Sequence, residues 1–147
     1  MDLFKEAEFV PELRYDEIHV GDQASITKTI TDEDIQAFAK LTGDVNPIHL
    51  LDSFAQHTMF KERIAHGMLA SSLISTVLGT KLPGRNTIYL SQNVSFKAPV
   101  RIGDTLRVVA EVVNKRDDKK IMTLQTNIYN QLDKLVVEGT ASVMKME

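Results

Sequence analysis

The run GMLASSLISTVL at residues 67–78 constrains the fold most, because it has helical spacing and almost no charged or strongly polar face. Its large apolar residues spread over much of the helix circumference, and most of the other positions carry small side chains. A helix that is apolar or small on nearly all sides is typical of a buried position. We therefore predict a long buried helix over residues 67–78, ended by Leu82-Pro83-Gly84.

The chain after this helix alternates apolar with polar residues, as strands with one buried face do. Four such runs have inward positions at 94, 96 and 98; at 106, 108, 110 and 112; at 122, 124, 126 and 128; and at 135, 137, 139, 141 and 143. Turn-forming residues separate the runs, and an earlier strand is predicted over residues 24–30.

A buried helix followed by antiparallel strands is accommodated most simply by a sheet that curls around the helix. The predicted class is α+β, in one domain over residues 1–147, with an antiparallel sheet wrapped around a long buried central helix. This description matches the hot-dog fold. Such a sheet leaves its edges and part of a face uncovered, so we expect a homodimer.

The segment before the central helix is predicted to be mainly helical. Thr31 and Asp34 have the spacing of a capping box, and Gly43 is placed to end the helix that follows. Pro47 lacks a backbone donor and restricts Asn46, which predicts an irregular loop over residues 44–49. A short helix is predicted over residues 52–60. The apolar stripe of the first helix lies at positions 35, 38, 39 and 41.

Composition excludes several functional classes. A net charge of −3 and the absence of Trp argue against a nucleic-acid partner. The absence of Cys excludes disulfides and thiolate nucleophiles, and it fits a reducing compartment. The N-terminal region has no apolar core typical of a signal peptide, and the longest apolar stretch is too short and too rich in serine to span a bilayer. We expect a cytoplasmic protein with no membrane contact.

Residues 43–70, GDVNPIHLLDSFAQHTMFKERIAHGMLA, carry the most informative motif. The runs Asp44-Val45-Asn46-Pro47-Ile48-His49 and Ile64-Ala65-His66-Gly67-Met68 resemble the hydratase motif of the MaoC-like family, which includes (R)-specific enoyl-CoA hydratases. Likeness extends over most of the chain from about Thr31 onward, which makes it far more specific than a lone short motif. Further resembling runs are LPG at 82–84, YLSQN at 89–93, FKAPV at 96–100 and GD at 103–104.

Asp44 and His49 lie five residues apart on either side of Pro47, so both side chains can reach one water molecule. Hydration of an enoyl thioester needs a base for water, a proton for the α-carbon and stabilisation of the thioester oxygen. The resemblance implies that this pair performs the proton transfers, and the sequence leaves open which member is the base. It also implies that the backbone N–H of Gly67, at a helix start, receives the thioester oxygen.

Five other residues are candidates for substrate contact. Asn46 is expected to position Asp44 or the water, although it is also an ordinary turn residue. His66 is expected to orient the loop or to be purely structural. Ser75 lies within reach of the site or serves only packing. Ile74 and Leu78 are predicted to form an apolar wall that sets the acyl-chain length.

The function predicted from these residues is (R)-specific hydration of trans-2-enoyl-CoA to (R)-3-hydroxyacyl-CoA, together with the reverse dehydration. The alternatives are a 3-hydroxyacyl-ACP dehydratase, an acyl-CoA thioesterase and a non-catalytic acyl-binding protein on the same fold. The paired Asp and His argue against the last two. We expect no cofactor and no metal, because the histidines lack the spacing of a helical zinc site.

Overall fold

Five antiparallel strands form one sheet in the order β1-β3-β4-β5-β2 in the computed structural model, which describes residues 2–147. The inward positions predicted for the last three strands are confirmed, since nearly all of them are fully buried. The inward position predicted at Phe96 is wrong, because that residue is 54% exposed. The strands are β1 (Gln23–Thr29), β2 (Thr87–Phe96), β3 (Thr105–Arg116), β4 (Ile121–Tyr129) and β5 (Leu135–Lys145).

The central helix of the fold is α5 (Gly67–Thr80), which packs against the sheet and extends two residues beyond the predicted end. Its buried side carries Ala70, Ser71, Ile74, Val77 and Leu78. The expectation that the helix is buried on nearly all sides is wrong for the single chain. One side, with small or flexible residues, is exposed: Met68, Ser72, Ser75, Thr76 and Gly79. Small polar residues tolerate both solvent and close packing, so sequence alone does not separate the two.

Four shorter helices are α1 (Leu3–Glu8), α2 (Asp32–Thr42), α3 (Pro47–Leu50) and α4 (Asp52–Ala55). The capping box is confirmed, since the Asp34 N–H donates to Thr31 Oγ1 and the Thr31 N–H donates to Asp34 Oδ2, at 3.2 and 2.9 Å. Gly43 ends α2 with φ of 83°. The predicted stripe is wrong at Leu41, which is 84% exposed.

The prediction of an irregular loop over residues 44–49 is wrong from Pro47 onward, because α3 begins at that residue. Proline suits the first position of a helix, because the N–H that it lacks has no intrahelical acceptor there. Asn46 caps α3 by accepting the Ile48 N–H through its side-chain oxygen at 3.3 Å. The helix predicted over residues 52–60 is also too long. Helix α4 ends at Ala55, whose carbonyl accepts the Thr58 hydroxyl at 2.7 Å.

The segment before β1 is held against the sheet by polar contacts. The buried Lys145 donates through Nζ to the Arg85 carbonyl at 2.7 Å and pairs with Glu12 at 3.5 Å. The Tyr15 hydroxyl donates to Asp117 at 2.6 Å, and burial together with this bond raises the pKa of Tyr15 to about 12. Within residues 2–147, no helix is long and apolar enough to cross a membrane.

Candidate active site

A cavity of about 480 Å³ lies where the start of α5, the end of β2 and the α3 region meet. Its wall is mostly apolar. The charged or titratable residues on that wall are Asp44, His49, His66 and Lys97. A largely apolar cavity with a few convergent polar groups is the usual form of a small-molecule site. The three residues at positions 44, 49 and 67 that the sequence predicted as catalytic all lie on it.

His49 lies on α3, and its ring is oriented by a backbone carbonyl. Its Nδ1 lies 2.8 Å from the carbonyl oxygen of Ile64. A carbonyl only accepts, so Nδ1 carries the hydrogen and Nε2 is the nitrogen with a free lone pair in the neutral ring. The fold therefore selects the tautomer in which Nε2 of His49 can accept a proton.

Asp44 is exposed just beyond α2 and is fixed by local hydrogen bonds. Its Oδ1 accepts the Asn46 N–H at 3.3 Å, and its own N–H donates to Thr42 Oγ1 at 3.2 Å. Asn46 thus holds Asp44 through its backbone, while its side-chain oxygen caps α3. Asn46 is not among the residues that line the cavity.

His66 contacts both members of the predicted pair. Its Nε2 donates to the Asp44 carbonyl at 3.0 Å, and its ring stacks on His49 with centroids 3.9 Å apart and planes inclined by 28°. Phe38 packs on it as well, at 4.8 Å between ring centroids. His66 is 2% exposed, and its Nδ1 has no hydrogen-bond partner within residues 2–147. These contacts suit the orienting role that the sequence suggested.

Asp44, His49 and His66 each offer a ligand atom, and the three atoms lie within 4.8 Å of one another. Such spacing is compatible with a metal ion. One ring nitrogen of each histidine contacts a backbone carbonyl, which leaves Nε2 of His49 and Nδ1 of His66 with free lone pairs. A backbone carbonyl on the other ring nitrogen is found with metal-ligating and with proton-transferring histidines alike. The expected absence of a metal stays a prediction.

Gly67 opens α5, so its N–H belongs to the donors at a helix start that lack an intrahelical acceptor. A Cβ at this position would lie 2.7 Å from Cε1 of Phe96. Glycine is therefore needed for the ring to pack over the helix start. A free N–H at the positive end of a helix, on the cavity wall, suits a developing oxyanion.

The remaining substrate-contact candidates lie away from this cavity. Ser75 is exposed on the open side of α5, whereas Ile74 and Leu78 are buried in the core at 0% and 1% exposure. None of the three is part of the cavity wall. Their roles in substrate binding stay predictions.

Sequence reasoning missed Phe96 and Lys97 as residues of the cavity wall and Arg63 as a residue that supports His49. Phe96 and Lys97 line the cavity and belong to the run FKAPV, so the likeness to the hydratase motif was the signal that could have found them. Arg63 donates through Nε to the carbonyl of His49 at 2.8 Å. The two residues are 14 apart in sequence, and no local pattern indicates that contact.

Comparison with known protein families finds a match to the MaoC like domain over residues 18–131. The chain belongs to this MaoC-like family. The matched region includes β1 to β4 and every residue that lines the cavity except Val137.

Similarity to individual proteins extends over most of the MaoC-like chain. It is 48% identical over 130 residues to an (R)-specific enoyl-CoA hydratase of Rhodospirillum rubrum, covering 88% of the chain and 90% of that protein. It is 42% identical to a 3-hydroxybutyryl-CoA dehydratase of Methylorubrum extorquens, covering 91% of the chain and 87% of that protein.

The structure of the R-hydratase PhaJ1 from Pseudomonas aeruginosa in the unliganded form superposes on this MaoC-like protein with a TM-score of 0.86 and 47% identity. The match covers 90% of the chain and 85% of the other. The predicted α+β hot-dog architecture is confirmed by this similarity and by the five-stranded antiparallel sheet with its central helix.

Proposed function

We propose that the protein is an (R)-specific enoyl-CoA hydratase, which adds water to trans-2-enoyl-CoA and catalyses the reverse dehydration. The observation that carries this proposal is the geometry of Asp44 and His49. A carboxylate and an imidazole with its Nε2 lone pair free share one cavity wall, and Gly67 opens a helix beside them. The relatives named as hydratase and dehydratase support the same reaction.

In the proposed reaction, one water molecule lies between the Asp44 carboxylate and Nε2 of His49. One of the two groups removes a proton from the water as its oxygen forms a bond to C3 of the enoyl group. The electron pair of the C2–C3 double bond moves toward the thioester oxygen, where the Gly67 N–H stabilises the charge. The pair then delivers a proton to C2 as the electrons return from the thioester oxygen, so the product gains one water and both groups regain their starting protonation.

CoA is the proposed carrier, because both curated relatives described above are named for CoA thioesters. Among residues 2–147, Lys97 is the one cationic residue that lines the cavity, and its ammonium lies 3.9 Å from Glu138. An acyl-carrier-protein thioester presents the same reacting atoms, so it stays the alternative carrier. Comparing kcat/KM for crotonyl groups on CoA and on an acyl carrier protein separates the two.

Incubation with crotonyl-CoA tests the proposed reaction. A hydratase removes the double bond conjugated with the thioester without releasing thiol, and an (R)-specific dehydrogenase then oxidises the product. Free thiol would indicate a thioesterase, and an unchanged substrate that still binds would indicate an acyl-binding protein. Either of these two results would overturn the proposal.

We propose further that the protein is a homodimer formed through β2 and the open side of α5. Strand β2 lies at one end of the sheet, and Tyr89 and Leu90 on it are 39% and 47% exposed. An unpaired edge strand with exposed apolar residues is a natural site for a second copy. Sedimentation at micromolar concentration is expected to show a dimer or a larger assembly.

A cytoplasmic location stays a prediction.

A matched pair of variants locates the dimer interface. Leu90→Lys places a charge at the β2 edge and is expected to weaken association. Leu132→Lys makes the same change at a site that is 79% exposed in the turn before β5, and it is expected to leave the assembly intact. A stable wild-type monomer contradicts the dimer, and equal behaviour of the two variants contradicts the proposed interface.

Leu78 is proposed to limit the length of the acyl chain. It lies 11 residues beyond Gly67 on α5, which is about 16 Å along the helix axis. Only long enoyl chains would reach it from the helix start. Leu78→Ala is therefore expected to shift kcat/KM toward longer enoyl-CoA substrates, while turnover of crotonyl-CoA changes little.

The Leu78→Ala test needs a stability control, because truncating a fully buried leucine costs about 2–5 kcal/mol. Leu124→Ala, at an equally buried position on β4, provides a matched truncation. A chain-length profile that is unchanged in Leu78→Ala, or shifted equally by Leu124→Ala, would remove Leu78 from the acyl pocket.

A further inference from the structure

The helix that carries His49 is too short to be stable alone. Helix α3 spans four residues, which is about one turn, and an isolated turn of helix is unfavourable in water. A group that exchanges a proton with the reactants must nevertheless be held within hydrogen-bond reach of them. Contacts from outside α3 must therefore fix the His49 side chain.

Residues 63 and 64 supply three such contacts. Arg63 donates through Nε to the His49 carbonyl at 2.8 Å, and the Ile64 N–H donates to the Ile48 carbonyl at 3.3 Å. The Ile64 carbonyl in turn accepts Nδ1–H of His49 at 2.8 Å. Arg63 and Ile64 thus fix the backbone of α3, and Ile64 also selects the tautomer of the His49 ring.

The Arg63 guanidinium also joins α3 to α2. Its side chain is 10% exposed, and its NH2 group pairs with Oδ1 of Asp32 in the first turn of α2. The hydrogen bond from Arg63 lowers the pKa of Asp32. The ion pair is therefore intact at neutral pH, and its contribution to stability is lost as the pH falls below the ordinary carboxyl range.

We propose that Arg63 is a positioning residue for the hydration reaction, which holds the His49 imidazole in place by binding the His49 carbonyl and the Asp32 carboxylate at once. This inference rests on the proposed function of His49. Arg63 touches neither the substrate site nor the reacting atoms, since it is not part of the cavity wall. It acts through the placement of α3.

Arginine suits this role better than lysine. Its planar guanidinium presents several donors in a fixed fork, so one side chain binds a carbonyl and a carboxylate in defined directions. It also places a positive charge at the C-terminal end of α3, where unpaired carbonyls favour a cation. A lysine ammonium keeps the charge but not the fixed geometry.

The test compares Arg63→Gln and Arg63→Lys with Arg107→Gln in the full-length protein. Arg107 is the matched control, because its guanidinium also pairs with an aspartate, Asp133 at 3.3 Å, while the residue lies on β3 and does not line the cavity. With crotonyl-CoA, Arg63→Gln is expected to lower kcat about tenfold or more and to change KM less than twofold. Arg63→Lys should recover part of the loss, and Arg107→Gln should stay within about twofold of wild type.

A spectroscopic readout separates positioning from general stability. Nitrogen-15 NMR of the His49 ring is expected to report the Nδ1–H tautomer in the wild type and a mixture of tautomers in Arg63→Gln. If Arg63→Gln does not fold, Asp32→Asn provides a milder change, because it keeps the bond to the His49 carbonyl, and a partial shift of the same signals is expected.

A folded Arg63→Gln variant with normal kcat and an unaltered His49 tautomer would overturn the inference, as would an equal loss in Arg107→Gln. The NMR readout does not require substrate. An inactive wild type would therefore contradict the proposed function, while the ring signals would still report whether Arg63 orients His49.

Discussion

Replacing Asp44 by asparagine, or His49 by glutamine, is expected to lower hydratase turnover at least about a hundredfold, as for a positioned acid or base group. Asparagine cannot hold a negative charge, and glutamine has no ring nitrogen to exchange a proton. Both changes are close to isosteric. The Asp44 backbone N–H that bonds to Thr42 is retained, so the loop is expected to stay folded.

Asp52→Asn and His57→Gln are the matched controls for these two variants. Both residues lie in the same part of the chain, are exposed and do not line the cavity. Their turnover with crotonyl-CoA is expected to stay close to that of the wild type, and thermal unfolding should show that all four variants are folded. Near-normal turnover in folded Asp44→Asn or His49→Gln would show that the residue has only a structural role and takes no part in the proton transfers.

Gly67→Ala is expected to lower kcat/KM at least about tenfold, although it preserves the backbone N–H. The added Cβ would meet the Phe96 ring at 2.7 Å, so either the ring or the helix start has to move. Phe96 is 54% exposed, which lets its ring move without unfolding the core. The shift changes the cavity wall and misplaces the oxyanion donor, and loss of such a donor costs about a hundredfold or more.

Two further variants test this explanation of the Gly67→Ala effect. Adding Phe96→Ala should recover part of the activity relative to Phe96→Ala alone, because the clash is then removed. Gly79→Ala is the control on the same helix, because an added Cβ there meets nothing within 4 Å among residues 2–147 of one chain. Sedimentation should show that this control leaves the proposed dimer intact. If Gly67→Ala is fully active, the close approach of the ring has no role in catalysis. The same conclusion follows if adding Phe96→Ala to Gly67→Ala recovers no activity relative to Phe96→Ala alone.

The elements that depend on local chemistry were predictable from the sequence. The capping box at Thr31, the end of α2 at Gly43 and the inward positions of β3, β4 and β5 follow from short-range patterns, and the structure confirms them. Proline at 47 gave an ambiguous signal, because it both interrupts helices and begins them. A helix begins at Pro47 in the structure, with the side chain of Asn46 as its N-terminal cap.

The contacts that orient the site were not predictable, because they join residues distant in sequence. The motif indicated Asp44, His49 and Gly67 as one site, and the cavity contains all three. It did not indicate that Ile64 selects the tautomer of His49, or that Arg63 binds its carbonyl. These contacts form only when the fold places residues 63–65 between α3 and the loop before β3. In that loop, Arg101 forms an antiparallel β-bridge with Ile64.

The double variant Asp44→Asn/His49→Gln tests the central claim that these two residues act on one water. If they do, removing either already disables the reaction, and the double variant should turn over crotonyl-CoA at about the rate of the slower single variant. Losses that multiply, so that the double variant falls by the product of the two single effects, would show that Asp44 and His49 act independently and would contradict the shared water.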